Sequence, residues 1–297
     1  MKRVLKWAGL GLLVVLAVVV TGVGTVSCVS DSRIAERYEI DPDPVEVPTD
    51  EASLAEGERL YLSRGCGDCH AADGGGRVIM DAPPARVVGA NLTRLTRNYR
   101  SEDWARAVRH GVARDGHPII LMPAHEYRVV IRDSELGKII AHVRTLPPVE
   151  RDLPPTEVRV LGNLLHIAGA LPLVPAELID HDTAPESPPE PTATAEYGAN
   201  LIIACFGCHG EGLSGGPIPG APPELGIPAN LTPHESGLAA WTEEDFFRAM
   251  REGKRPDGAE LDPLQMPWRN FQHMTDTEIS ALWAHLRTVP AREHGLR

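Results

Sequence analysis

The sequence predicts an all-α chain, two tandem helical domains behind an N-terminal transmembrane helix. Three observations carry this. An apolar run of 20 residues lies near the N-terminus, the rest of the chain repeats the same short motifs in the same order, and the periodic segments of each copy are helical while none alternates convincingly as a strand. At roughly 150 residues per domain, 297 residues make two domains, and the duplication says that they are homologous. With 42% hydrophobic and 24% charged residues the chain is globular in composition rather than disordered. Aromatic residues are scarce, at 5%. Domains of about 100 residues have little core to spare, so something besides Phe, Tyr and Trp must fill these, and a large cofactor would do so. The formal net charge of −12 excludes duplex nucleic acid as a partner, because neutralising phosphates needs a basic face.

In chain order, Lys2, Arg3 and Lys6 precede the run Trp7 to Val26, which is long enough to cross a bilayer as a helix, and the basic residues favour an inside N-terminus. Residues 1–28 therefore read as a membrane anchor or signal segment, and the length favours an uncleaved anchor. Cleavage near Gly22 and Gly24, or lipid attachment at Cys28, are the alternatives, and each of the three exports everything after about residue 30. Residues 29–49 form a tether.

The first copy spans 50–148 and the second 193–297, with a linker over 149–192. Cys66-Gly67-Asp68-Cys69-His70 answers Cys205-Phe206-Gly207-Cys208-His209, and Ala82-Pro83-Pro84 answers Ala221-Pro222-Pro223. Ala90-Asn91-Leu92-Thr93 answers Ala229-Asn230-Leu231-Thr232, Met122-Pro123 answers Met266-Pro267, and the tail 141–147 answers 284–290. Thr49 or Asp50 caps a helix running to about Ser63, and Thr192 or Thr194 caps its counterpart ending before Cys205. A second helix starts at Ser101 in one copy and Thr242 in the other, where Thr242 and Asp245 have capping-box spacing. The last helix shows Leu136, Ile139, Ile140 and Val143, or Ile279, Leu282, Trp283 and Leu286, at helical period. The Gly- and Pro-rich stretches 71–89 and 210–228 read as loops. In the linker, Val158, Leu161, Leu164, Leu165 and Ala168 mark an amphipathic helix that packs on a domain, meets a partner or touches the membrane. The acidic, Pro-rich tract 180–191 reads as a stiff solvated connection.

C-x-x-C-H is the attachment sequence of c-type haem. Two thiols three residues apart on one helical turn can form thioethers with two porphyrin vinyl groups, and the next residue, His70 or His209, then presents its imidazole to the iron. A redox dithiol and half a zinc site are the competing readings. Zinc would need further ligands with no second Cys pair nearby, and a thioredoxin-like dithiol would need a strand-helix context. The two pairs, Cys66 with Cys69 and Cys205 with Cys208, leave Cys28 alone among 5 cysteines, so a disulfide framework is not indicated.

On these motifs both copies resemble the class I cytochrome c family, in the tandem dihaem form found as cytochrome subunits of bacterial membrane-bound dehydrogenases. The resemblance implies two tandem cytochrome c domains, each with a covalently attached haem c. It also implies a methionine as sixth iron ligand just ahead of the last helix, a position held by Met122 and Met266. A soft thioether suits that role, and Met/His ligation raises haem potential. His117, His125 and His273 are nearby competitors but do not match between copies. His142 and His285 match, yet read as structural, and Met80, Met250 and Met274 read as core or loop. The family orients the iron-bound histidine with a proline carbonyl, which points to Pro83 or Pro84 and to Pro222 or Pro223. Tyr127, Phe271, Trp104 and Phe246 are expected near the porphyrins. The two Asn-Leu-Thr triplets also match the N-glycosylation pattern, but their recurrence points to a structural loop.

The expected function is electron relay. A membrane-tethered dihaem cytochrome would pass single electrons between periplasmic or membrane redox partners, such as a dehydrogenase, an oxidase or another cytochrome, on the outer face of a bacterial cytoplasmic membrane. It would be a carrier, not an enzyme. Copy one has 14 Lys and Arg against 13 Asp and Glu, and copy two 8 against 14, so the two would favour different partner surfaces. The alternative is a dihaem peroxidase or other dihaem oxidoreductase with one open iron site.

Overall fold

The computed structural model describes residues 2–184, 187–218 and 226–297. It is mostly helical. A single helix, α1, runs from Lys2 to Ile34, eight residues past the apolar run, and is apolar and long enough to cross a membrane. The first copy follows with α2 (Glu51–Ser63), α3 (Cys66–His70), α4 (Leu92–Leu95), α5 (Ser101–His110), α6 (Ala124–Val130) and α7 (Asp133–Thr145). The linker carries α8 (Val160–Ile167) and a 3-10 turn at Pro175–Leu178. The second copy has α9 (Ala195–Leu201), α10 (Ile203–His209), α11 (Glu243–Glu252), α12 (Trp268–Phe271) and α13 (Asp276–Leu286).

The caps explain where these helices start. Asp50 accepts from the Ser53 amide ahead of α2, and Thr194 accepts from the Tyr197 amide ahead of α9. Thr242 and Asp245 close a full capping box on α11. Both middle helices end on a left-handed glycine, Gly111 at φ 66° and Gly253 at φ 67°. The stripe on the last helix faces inward as its period predicts, with Leu136, Ile139, Ile140 and Val143, and Ile279, Leu282 and Leu286, all buried. The helix predicted to end before Cys205 stops sooner: α9 ends at Leu201, the chain breaks at Ile202, and α10 begins at Ile203 and carries the second motif.

The stretch 71–89 is not a loop throughout. Strands β1 (Arg77–Ala82) and β2 (Ala85–Gly89) form an antiparallel hairpin, to which the short β3 (Glu157–Val158) of the linker adds as a third strand. The Pro83-Pro84 pair is the turn. A bulge between Val78 and Met80 and solvent on β1 blur the alternation, which is why the sequence did not read as strand.

By contacts the chain falls into two units that cut across the repeats. Unit 1 takes the chain up to Pro44, Cys69–His125 and Pro148–Asp182. It holds the sheet, α1, α5, α8 and a small core of Val112, Leu173, Val174 and Ala176, against which Ile34, Tyr38 and Leu121 pack. Unit 2 takes Val45–Asp68, Glu126–Pro147 and Thr183–Arg297, and so contains α2 and α7 together with the second copy. Its core joins Tyr197, Leu201, Phe246, Met250, Met274, Ile279 and Leu282. In both copies the first helix crosses the last at a glycine. A Cβ on Gly57 would stand 2.1 Å from the Lys138 carbonyl oxygen, and one on Gly198 would stand 1.9 Å from that of Ala281.

Candidate haem-attachment sites

Each C-x-x-C-H motif sits on one short helix, α3 or α10, and none of the four cysteines is in a disulfide. Cys66, Cys69 and Cys205 are half-buried and Cys208 is exposed. Burial around its sulfur pushes the Cys205 thiol up to about 12, and burial raises Cys208 as well, so these are protonated thiols at neutral pH rather than a reactive dithiol. Among the described residues no group of three or more His, Cys, Asp and Glu side chains converges as a metal site would require, which leaves the half-zinc reading without partners.

The histidines are held identically. His70 Nδ1 lies 2.8 Å from the Ala90 carbonyl oxygen, and His209 Nδ1 lies 2.7 Å from that of Ala229. A carbonyl oxygen can only accept, so in both rings Nδ1 carries the proton and donates, and the lone pair is at Nε2. Burial lowers the pKa of both rings, which favours the neutral form a metal needs.

The orienting carbonyl therefore comes from alanine, not proline. The Pro84 oxygen instead accepts the Arg159 amide at 2.9 Å in the hairpin turn. Pro222 and Pro223 lie outside the described residues. The signal that would have found Ala90 and Ala229 is the Asn-Leu-Thr triplet after each. Asn91 Nδ2 donates to the Val149 carbonyl at 2.8 Å and its Oδ1 accepts from Thr93 Oγ1 at 2.7 Å. Asn230 Nδ2 donates to the Arg292 carbonyl at 2.7 Å and its Oδ1 accepts from Thr232 Oγ1 at 2.8 Å. The triplet is a structural clasp that pins the carbonyl.

Both methionines sit on the same tight turn. Across the following proline, the Met122 carbonyl accepts the Ala124 amide and the Met266 carbonyl accepts the Trp268 amide, each at 2.7 Å. Met266 packs in the unit 2 core with Cys205, Phe206 and Phe271. Met122 is half-buried, and its segment is tied down by the linker: Leu121, at φ 58°, donates its amide to the Leu173 carbonyl at 2.9 Å. The competing side chains have other employment. His117 pairs with Asp115 at 3.1 Å, and His142 is buried against the Tyr61 ring. Met250 and Met274 are core residues, 4% and 5% exposed.

One feature of the first motif went unread in the sequence. Arg64, two residues before Cys66 and 4% exposed at its side chain, is held by Glu278 Oε1 at 2.6 Å and Glu135 Oε1 at 3.0 Å. These glutamates are equivalent positions of the repeat, each the third residue of its last helix, and they converge on one guanidinium. Beside the cluster, burial pushes the Tyr197 hydroxyl up to about 12. The second copy has Ile203 where Arg64 stands, and that break in the repeat was the available clue. Asn270, just after Met266-Pro267, also donates to Asp68 of the first motif at 2.5 Å.

The donor sets fit covalently bound haem. Each offers two thiols one turn apart, neither in a disulfide, and an imidazole whose Nε2 has no hydrogen bond among the described residues. In the first copy the indole N–H of the buried Trp104 has no acceptor among the described residues. Gly89 clears the way for the Cys69 carbonyl, which a Cβ there would meet at 1.8 Å.

Known proteins resemble this chain in sequence. A profile of the cytochrome c family matches residues 54–147 and again 195–290. The fructose dehydrogenase cytochrome subunit of Gluconobacter japonicus is 23% identical over 84% of this chain, which spans 55% of that subunit's length. The diheme cytochrome c-type protein of Cereibacter sphaeroides is 28% identical over 85% of this chain and 90% of its own. The gluconate 2-dehydrogenase cytochrome c subunit of Pantoea cypripedii is 26% identical over 82% of this chain and 61% of its own. With the family matched in both repeats and the attachment residues in place in each, the chain belongs to the cytochrome c family as a tandem dihaem electron-transfer protein.

Proposed function

We propose that this chain is a membrane-tethered electron relay that accepts single electrons from a dehydrogenase on the periplasmic side of a bacterial cytoplasmic membrane and hands them to a further redox protein. The haem, when bound, supplies one-electron chemistry at iron. The chain's residues attach it, set its ligands and shield it. Cys66 and Cys69, and Cys205 and Cys208, would form the thioethers that hold the haems. His70 and His209 would ligate iron through Nε2, and Met122 and Met266 through sulfur. With His70 and Met122, and His209 and Met266, as ligands that would stay in place, neither haem would offer a vacancy for a substrate, so the chain would carry electrons and catalyse no bond change. The haem-bearing domains on this reading are residues 50–148 and 193–297.

One observation carries the reading: the same Nδ1-to-carbonyl clamp and the same Met-Pro turn occur in both copies, at 2.8 and 2.7 Å for the clamp and 2.7 Å for both turns. An enzyme with one open iron would need the copies to differ there. The dehydrogenase as donor is supported by the names of the relatives, two of which are cytochrome subunits of fructose and gluconate dehydrogenases. The tether is supported by α1. Carbon monoxide added to the reduced full-length protein at neutral pH is expected to leave the visible spectrum unchanged. Binding at one haem per chain would replace the relay by an open-site enzyme.

A further inference from the structure

Helix α8 of the linker is built inside out for a helix in water. Its buried residues are Gly162, Asn163 and His166, while Val160 and Leu161 are 54% and 43% exposed and Leu164 and Leu165 are half-exposed. The buried polar face locks onto the end of α1. Ser30, 0% exposed, donates Oγ–H to Asn163 Oδ1 at 2.8 Å and lies 2.9 Å from His166 Nδ1, and Asn163 Nδ2 donates to Asp31 Oδ1 at 3.0 Å. On the far side of the ring, His166 Nε2 is 3.3 Å from Glu177, which also holds Arg33. A soluble helix turns its apolar side inward. Here polar groups are spent on the inside and a contiguous apolar face is left out.

The position of α8 along α1 says what that face meets. On α1 the large side chains from Val4 to Val20 are all exposed, whereas Val23, Val26 and Ser27 are half-covered and Ser30 is buried. These four residues share one helical face, and α8 is the element packed on α1. It lies beside the last turn of the apolar run and the first turn after it. At 1.5 Å per residue, Ser30 stands about 6 Å beyond Val26, the depth at which amphipathic helices lie along a bilayer, their apolar faces reaching the acyl boundary. No Asp, Glu, Lys or Arg lies within α8, and Arg159 just before it is occupied by Asp81 at 2.6 Å.

We propose that α8 lies in the outer interfacial layer of the membrane that α1 crosses, with Val160, Leu161 and Leu164 toward the lipid acyl chains. The Ser30 lock makes α1 and α8 one bracket, so unit 1 is held at a set tilt and height rather than swinging on a tether. This rests on α1 being a retained anchor.

The test uses the full-length, haem-loaded chain in phosphatidylcholine–phosphatidylglycerol nanodiscs. In a Cys28→Ser background a nitroxide is placed at Leu161→Cys, at Val15→Cys inside the apolar run, and at Val78→Cys on exposed β1, and collisions with oxygen and with a water-soluble nickel chelate are compared. The expected result is an oxygen-to-nickel ratio at Leu161→Cys several-fold above that at Val78→Cys and below that at Val15→Cys. A deep Val15→Cys label with Leu161→Cys as wet as Val78→Cys overturns this proposal alone. Shielding of Leu161→Cys from both reagents overturns lipid as the occupant and points to a protein contact. A wet Val15→Cys label overturns the anchor reading and this proposal with it.

Discussion

The two copies hold their histidines with the same clamp and their methionines on the same turn, yet they build the surroundings differently. In the first copy the turn-bearing segment leans on the linker through Leu121 and Leu173, and the middle and last helices start at Arg100 and Arg132. In the second, Met266 packs into the unit 2 core and the corresponding helices start at Thr242 and Thr275, whose hydroxyls cap them. The most lopsided feature is Arg64, which has no counterpart in the second motif and draws in a glutamate from each copy. The clamp and the turn are thus kept while their support varies, as expected if orientation of the histidine is what function requires and packing need only be sufficient.

Replacing a sixth ligand probes the shared part and has the largest expected effect, all or none at one haem. Met122→Ala and Met266→Ala should each remove half of the methionine-to-iron charge-transfer absorption and let carbon monoxide bind one haem per chain. If either variant leaves the band whole, the copies are not alike at the iron. Next in size is the unshared part. Glu278→Ala leaves the buried Arg64 charge short of a partner and should cost about 3–5 kcal/mol in chemical denaturation. Its repeat-equivalent Glu135→Ala, at a more exposed side chain, should cost about 1 kcal/mol or less. Equal losses would mean that the asymmetry at Arg64 carries no energy.

The same cluster sets a pH dependence. Burial works to raise the Glu278 carboxyl, but Arg64, together with Arg59 on α2, whose Nη1 lies 2.8 Å from Glu278 Oε2, outweighs it and holds it below its ordinary value of 4.5. Its contribution to stability is therefore complete above pH 4.5 and is lost as pH falls through the lowered folded value. Melting curves should show the wild type losing more stability across that acid window than Glu278→Gln. Smaller still are the helix crossings: Gly57→Ala and Gly198→Ala each force a Cβ into a backbone carbonyl and should cost about 1–3 kcal/mol, alike in the two copies. Last come the caps. Thr242→Ala should cost about 1 kcal/mol, and Arg100→Ala close to nothing, since an arginine side chain has no oxygen to offer the helix amides.

What was legible in the sequence was what is local or repeated. The duplication, the two attachment motifs, the Met-Pro pair, the caps at Asp50, Thr194 and Thr242 and the inward stripes of α7 and α13 all depend on residues a few positions apart. What was not legible depends on distant partners. The Ala90 carbonyl is fixed by Val149, the hairpin gains its third strand from the linker, and Arg64 meets glutamates far along the chain. The linker helix was legible as a helix but not in its orientation, because its apolar stripe argued for burial while the polar groups that claim its inner face sit on α1.

The central claim is that both irons share one ligand set. Its most direct test is a redox titration of the full-length, haem-loaded chain in detergent, followed in the visible and near-infrared. The account predicts two one-electron haems, both low-spin, each contributing a methionine-to-iron band in its oxidised form. One high-spin haem, or one oxidised haem without that band, would contradict it.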